Sequence, residues 1–396
     1  MNKKRVLLIA SYDSFLNTGY AVAKEINYST IDIYIHQTKK NRGLGSKNIL
    51  SESQLSLNGL SLKEINFFHI DDYFDKLMYQ NYDIVILSLG NGLLTRFFRN
   101  SSKLNLTLPI VITLFPGVIF GDSESIITRL GANILLFNNY YDYQIGNKFK
   151  ERYNLSCTNI LYGYPILRKK HHCSDGNKVY FIDQVKIPDG KKERLLILKK
   201  LIALANRYPH KDLVLLLRVH QNDITVHEDK YSYAELAKNM KLPDNFKIER
   251  KRTQDALQEM GYCLSFSSTM LFEAESCGIP IGVISDLGVD KKYANTHFKD
   301  SGVLVNLDTV DLDSPNTINP TWAELYTNPD SLSSKEFNQL LEVTSTQPPS
   351  FDNYFIAVND VQPVSMVLLR KFKKLIYHPK QFFVDSKLYK LIKFTK

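Results

Sequence analysis

Apolar residues in this chain gather into short unbroken runs, and each run ends in a polar or glycine-containing turn before an amphipathic stretch begins. Lys4 to Ala10 reads as a buried parallel strand, because a strand covered on both faces is apolar throughout. It stops at Ser11-Tyr12-Asp13-Ser14, and the spacing then predicts a helix over Phe15 to Ile26. Further strands are expected at Ile31 to His36, Tyr82 to Leu89, Pro109 to Leu114 and Asn133 to Phe137. A helical stretch is expected around Ile70 to Tyr79. The third and fourth of these strands end in glycine turns, Gly90-Asn91-Gly92 and Phe115-Pro116-Gly117.

The rhythm then restarts. Lys178 to Ile182, Leu213 to Val219, Tyr262 to Phe266 and Pro280 to Ile284 read as strands. Between them lie helical patterns at Lys191 to Tyr208, Thr253 to Met260 and from Ser267-Ser268-Thr269 through Cys277, where Gly278 breaks the pattern. Strands alternating with helices describe doubly wound α/β sheets, and 396 residues suit two of them. The expected fold is two Rossmann-like domains facing a cleft, the GT-B architecture. Expected boundaries are 1–165 for an acceptor-binding domain and 166–345 for a donor-binding domain. A C-terminal segment follows at 346–396.

Charge changes this picture at one place. Residues 370–396 hold nine Lys/Arg against one acid, Asp385, and so carry +8 of the net +9. Apolar and aromatic residues such as Phe372, Phe382, Phe383 and Phe394 interleave with that charge, a pattern suited to an anionic membrane surface. No binding module accompanies it, so nucleic acid is not an expected partner. No run approaches 18 consecutive apolar residues. Cys157, Cys173, Cys263 and Cys277 show no CxxC pairing, which predicts reduced thiols and a cytoplasmic protein, peripheral on the inner face of the membrane.

Ligands of open α/β sheets gather at the carboxyl ends of the strands, so the polar residues there are the candidates. In the second half these are Asp183-Gln184, Arg218, His220, Thr225, His227, Glu228 and Ser267-Ser268-Thr269. Hydroxyls that open a helix after a buried strand offer a phosphate site. Glu273, about a turn further on, can accept the two hydroxyls of a ribose. His220 can hold a phosphate or protonate a leaving phosphate oxygen. In the first half Asp13 is the preferred general base for an acceptor hydroxyl, with Asp122 competing, while Ser14, Asn91 and Gly117 can meet the acceptor. Neither GxxxxGK[ST] nor GxGxxG is present, which counts against kinases and most NAD enzymes. The Asp311-Leu312-Asp313 pair lies in a polar stretch, so no essential metal and no cofactor is expected.

Several motifs in order carry a resemblance over roughly residues 4 to 305. They are Ile9 to Phe15, Phe115-Pro116-Gly117, Asp183-Gln184 with Pro188, Thr225-Val226-His227-Glu228 with Tyr231, Ser267 to Glu273, Gly278-Ile279-Pro280 and Ser285 to Val289, followed by Asn295 and Ser301-Gly302. This set resembles a family of bacterial glycosyltransferases. More distantly it is similar to bacterial GT-B sialyltransferases and polysialyltransferases, although Gln221 stands where those have proline after the histidine. That likeness implies a CMP-linked donor, a sialic-acid-like nonulosonate or Kdo, held by His220 and Ser267-Ser268-Thr269. The implied chemistry is inverting and metal-independent transfer to a hydroxyl of a surface glycan or glycolipid. The tail, with His378-Pro379-Lys380 and Phe382-Phe383, resembles those of transferases that build capsule or other surface polysaccharide. Open alternatives are a GT-B enzyme using a UDP- or GDP-sugar, a polyol-phosphate transferase, and a non-catalytic assembly factor at the membrane. The sequence leaves the oligomeric state open.

Overall fold

The computed structural model describes residues 3–11, 13–36, 65–68, 81–103, 109–164, 177–217, 231–251, 253–327, 332–344 and 351–362. Two parallel sheets organise them. The first has seven strands: β1 (Lys4–Ala10), β2 (Tyr28–His36), β3 (Ile65–Phe68), β4 (Ile84–Ser88), β5 (Ile110–Leu114), β6 (Ile134–Phe137) and β7 (Thr158–Leu161). Their order is β3-β2-β1-β4-β5-β6-β7, so the winding reverses between β1 and β4. The second sheet comprises β8 (Lys178–Ile182), β9 (Asp212–Leu216), β10 (Phe246–Glu249), β11 (Met260–Ser265), β12 (Ile281–Ile284) and β13 (Leu304–Val305). Its order is β10-β9-β8-β11-β12-β13, reversing between β8 and β11. Such reversals open a crevice at the carboxyl ends of the two diverging strands.

Helices cover both faces of each sheet. Around the first run α1 (Asp13–Glu25), α2 (Asn91–Lys103), α3 (Ser123–Arg129) and α4 (Tyr140–Arg152). Around the second run α5 (Lys191–Arg207), α6 (Tyr233–Ala237), α7 (Thr253–Leu257), α8 (Met270–Ser276) and α9 (Pro320–Tyr326). Helix α5 shows why the pattern folds as it does. Ile197, Leu198, Leu201, Leu204 and Ala205 recur at helical spacing and are buried, while the lysines between them face out. Strands β1 and β4 are buried at nearly every position, which accounts for their unbroken apolar runs.

The chain then returns to the first sheet. Phe337 and Leu341 of α10 (Ser334–Val343) join the core on the α1 face, and Tyr354, Ala357 and Val358 of α11 (Phe351–Val361) join the core on the α2 face. Asn338 fixes α10 to the end of α1, donating to Glu25 O at 2.7 Å and accepting from Asn27 N at 2.7 Å. Helix α10, within the expected 166–345 segment, thus buries its apolar stripe against the first sheet. Among the described residues no helix is long and apolar enough to cross a membrane.

Candidate active site

The two crevices bring most of the described candidates together in two groups. At the first, β1 gives way to Ser11 and α1, and β4 to Gly90 and α2. Ser88, the last residue of β4, donates to Phe15 O at 2.6 Å, and a Cβ on Gly19 would stand 2.6 Å from Leu8 Cδ1. Helix α1 thus presses its first turns directly onto the sheet. Asp13 opens α1 and Ser14 is exposed in the same turn.

The Asn91 side chain is engaged on both of its polar atoms. Its Oδ1 accepts from Arg129 Nη1 at 2.9 Å, and its Nδ2 donates to Ser125 Oγ at 3.2 Å. Arg129 lies on the buried stripe of α3 and also donates to Leu114 O, Ser125 O and Leu89 O at 2.8–3.0 Å. One guanidinium therefore ties the turn after β4 to the end of β5, and burial lowers its pKa to about 10. Asp122 has a structural duty as well: exposed, it caps α3 by accepting from Ser125 N at 3.0 Å.

At the second crevice Gln184 spans the gap between β8 and β11. Its Oε1 accepts from Ser267 N at 3.0 Å and Ser265 Oγ at 3.2 Å, and its Nε2 donates to Ser267 Oγ at 3.2 Å. Gln184 thus acts chiefly by positioning Ser267. The turn carrying it is held from beneath by buried Arg194, which donates to Pro188 O, Gln184 O and Val185 O, each at 2.8 Å. Arg194 Nη1 also lies 3.4 Å from Asp183 Oδ1.

Helix α8 starts later than the sequence suggests, with Thr269 as N-cap rather than Ser267 or Ser268. Ser268 Oγ accepts from Met270 N at 3.2 Å, while Leu271 N and Phe272 N bond back to Ser268 O and Thr269 O. The first N–H groups are consumed locally, so this turn offers hydroxyls more than open amides. Glu273 supplies the charge. Burial pushes its carboxyl up to about 7, and no hydrogen bond reaches that carboxyl among the described residues. Gly278, at φ +73°, ends the pattern in the left-handed conformation expected of a helix-terminating glycine.

The two groups meet. A Cβ on Gly117 would stand 2.8 Å from Thr269 Oγ1, so the turn after β5 abuts the start of α8. Thr269 covers Gly117, and a larger residue there would press on it. Beside this contact an aromatic cluster joins the halves: Phe120 with His297 and Phe272, Tyr141 with Tyr326, and Tyr164 with Phe272. Tyr164 Oη also donates to Tyr326 O at 3.3 Å, linking the point where the chain leaves the first half to the point where it prepares to return. Asp142 braces this corner, accepting from Gly121 N at 2.5 Å and Asn139 Nδ2 at 2.7 Å, with its pKa raised by burial to about 6.

Arg218, His220, Thr225, His227 and Glu228 lie outside the described residues, as do the Ile70–Tyr79 stretch and the basic tail, and of Asp13 only its place in α1 is described. The Asp311-Leu312-Asp313 pair is engaged elsewhere. Asp311 Oδ1 accepts from Asp313 N and Ser314 N, and Asp313 pairs with Lys211 at 2.9 Å.

Residues 6–339 match the family described as "Putative glycosyltransferase (DUF6716)". The chain belongs to this family. No curated protein matches the sequence. Among solved structures, UDP-GlcNAc 2-epimerase from Methanocaldococcus jannaschii in complex with UDP-GlcNAc and UDP aligns with a TM-score of 0.51 at 13% identity, covering 86% of this chain and 99% of that one. Another structure of the M. jannaschii enzyme gives 0.50 at 13% identity with the same coverage. At such identity the likeness establishes the fold, which is GT-B, and leaves the reaction to the site. Membership of the glycosyltransferase family gives the activity class and leaves the donor open.

Arg129, Arg194 and the Phe120–His297 contact were not among the sequence candidates. A signal existed for the arginines: each interrupts the apolar stripe of its helix, where a charged residue is almost always paired.

Proposed function

We propose that this chain transfers a sugar from a nucleotide-activated donor held by its second half to a hydroxyl bound at its first. The observation that carries the reading is Glu273: a desolvated carboxylate without a hydrogen bond among the described residues, set one turn beyond Ser267-Ser268-Thr269 where the two halves meet. Glu273 is only partly exposed and its carboxyl is open to a ligand's hydroxyls, of which a ribose supplies two. In this reading Asp13, at the mouth of the first crevice, takes the proton of the attacking hydroxyl in a single in-line displacement that inverts the anomeric centre. Thr269 and Ser267 steady the departing phosphate. His220 and its neighbours belong to the same proposal on sequence grounds alone.

Two donor classes are favoured by different observations. Likeness of the whole fold to an enzyme that binds UDP-GlcNAc favours a UDP-sugar. The motif order in the sequence favours a CMP-linked nonulosonate. A site on the inner membrane face, reached through the basic tail, completes the proposal.

The test is thermal stabilisation of the full chain by CMP, CDP, UDP and GDP, since a ligand that binds only the folded state raises the melting temperature. A shift with UDP that vanishes in folded Thr269→Val or Glu273→Gln variants supports the UDP donor, and the same pattern with CMP supports the nonulosonate. No shift with any nucleotide overturns the reading.

A further inference from the structure

The first crevice contains polar groups that the fold does not use. Helix α2 is 13 residues long, and its opening amides, Asn91 N and Gly92 N, make no hydrogen bond among the described residues, while Leu93 N and Leu94 N turn back to Gly90 O. A Cβ built on Gly90 or Gly92 meets nothing within 4 Å, so this turn faces open space. Beside it lies Ser11, 1% exposed, whose Oγ has no hydrogen-bond partner. Leu7 and Ile9 share a core with Leu94 and Phe97, so strand alternation sets Ser11 on the α2 face of the sheet. The register Ala10 to Ser88 brings it level with Leu89, at the threshold of that turn. A buried hydroxyl without a partner is costly, and the register sets this one level with the residue that leads into the turn carrying the two amides.

Two described groups bring positive charge to this turn. The amino end of α2 carries the positive pole of the helix dipole. Beneath it the Arg129 guanidinium is 3% exposed and bonds only to Leu89 O, Leu114 O, Ser125 O and Asn91 Oδ1, all of them uncharged oxygens. The acid that acts on it, Asp122, is exposed and engaged as a helix cap. A full positive charge, a helix amino terminus and a spare hydroxyl thus belong to one crevice, and among the described residues no carboxylate is hydrogen-bonded to any of them.

We propose that this crevice is an oxyanion subsite, formed by Asn91 N, Gly92 N and Ser11 Oγ over Arg129, which holds a phosphate or carboxylate group of the acceptor. The inference rests on the reading of the first half as the acceptor side and narrows the acceptor to an anionic molecule. Seating that anion beside the start of α1 brings the acceptor to Asp13 and orients its reacting hydroxyl toward the donor half.

The experiment is titration of the full chain with inorganic phosphate and, separately, acetate, followed by calorimetry. Three variants are compared: Gly92→Asp, Ser11→Ala and Thr269→Val. An aspartate at position 92 has room and suits a helix amino terminus, so it preserves the fold while placing a negative charge in the subsite. Phosphate affinity is expected to fall roughly tenfold or more in Gly92→Asp and severalfold in Ser11→Ala, whereas Thr269→Val, which weakens any phosphate at the donor turn, should keep the binding event that Gly92→Asp loses. Phosphate binding tighter than acetate assigns a phosphate ester, and the reverse assigns a carboxylate. Equal phosphate affinity in Gly92→Asp and the parent, loss only in Thr269→Val, or binding of neither ion overturns the subsite. Nucleotide stabilisation that persists when neither ion binds removes the subsite alone. Ion binding without any nucleotide effect removes the transferase reading alone.

Discussion

The Phe120 ring lies parallel to the imidazole of His297, with 4.4 Å between centroids and 4° between planes. One residue comes from the turn after β5 and the other from the second half, so this stack is a direct contact between the two sheets' loops. Phe120 keeps it at φ +49°, a left-handed conformation that costs a residue with a Cβ about 1–2 kcal/mol. Phe120→Ala is expected to lose about 1–3 kcal/mol in urea unfolding, because the ring goes and the strain stays. Phe120→Gly loses the same ring but relieves the strain, so it should be the more stable of the two by about 1 kcal/mol. Equal midpoints for the two variants would show that the strain is not felt.

His297 makes the contact sensitive to acid. Burial, with the charge of Lys291 behind it, holds its pKa below the ordinary histidine value of 6.5. The folded state therefore binds the proton less well than the unfolded chain, and stability is lost as pH falls below about 7 toward the lowered value. His297→Gln should flatten that part of the stability profile between about pH 7 and 5. An unchanged slope would assign it to other groups.

Glu273 runs in the opposite direction. Its carboxyl, raised to about 7, binds a proton more readily folded than unfolded, so ionising it weakens the fold as pH rises from about 4.5 through 7. Glu273→Gln should stabilise the ligand-free protein at pH 8, on the order of 2–3 kcal/mol, and reduce nucleotide binding at the same time. A variant that gains stability and keeps full nucleotide affinity would remove Glu273 from the donor site.

Gly117 and Thr269 can be tested as a pair. Gly117→Ala places a methyl group 2.8 Å from Thr269 Oγ1, and relief requires the halves to part or Thr269 to turn. The cost expected is about 1–3 kcal/mol, and Thr269→Ala in the same chain should recover most of it. Additive effects in that double-mutant cycle would mean the two turns do not touch in solution.

Arg194 is the least replaceable residue of the second crevice. Arg194→Leu strips donors from four carbonyls and removes the cation beside buried Asp183, a change of about 3–5 kcal/mol. Thermal unfolding of the variant measures it. A loss below about 1 kcal/mol would mean that the turn from Gln184 to Pro188 holds itself.

Much of this architecture is legible in the chain because central parallel strands announce themselves. The runs Val6 to Ala10, Ile84 to Leu87 and Val179 to Ile182 are apolar through their length since both faces are covered. Strands β3, β7, β10 and β13 escape notice because they are the short edge strands of the two sheets, and β7 and β10, covered only in part, lack an unbroken apolar run. The α10 and α11 helices carry readable stripes, but a stripe does not say which core it serves. The site divides the same way. Glu273 and Thr269 follow from their place after a strand, whereas the engagement of Asn91 by Arg129, 38 residues away, depends on tertiary structure alone.

The return of the chain to its first sheet also sets an order of assembly. Tyr354, Ala357 and Val358, which close the core on the α2 face, are synthesised about 190 residues after Leu161 completes the last strand of that sheet. While the second half is emerging from the ribosome and folding, Phe97, Phe98 and Leu130 lack the side chains that will cover them. The first domain to begin folding is therefore the last to finish. During synthesis its exposed apolar face is where a chaperone would bind or where two nascent chains would stick together.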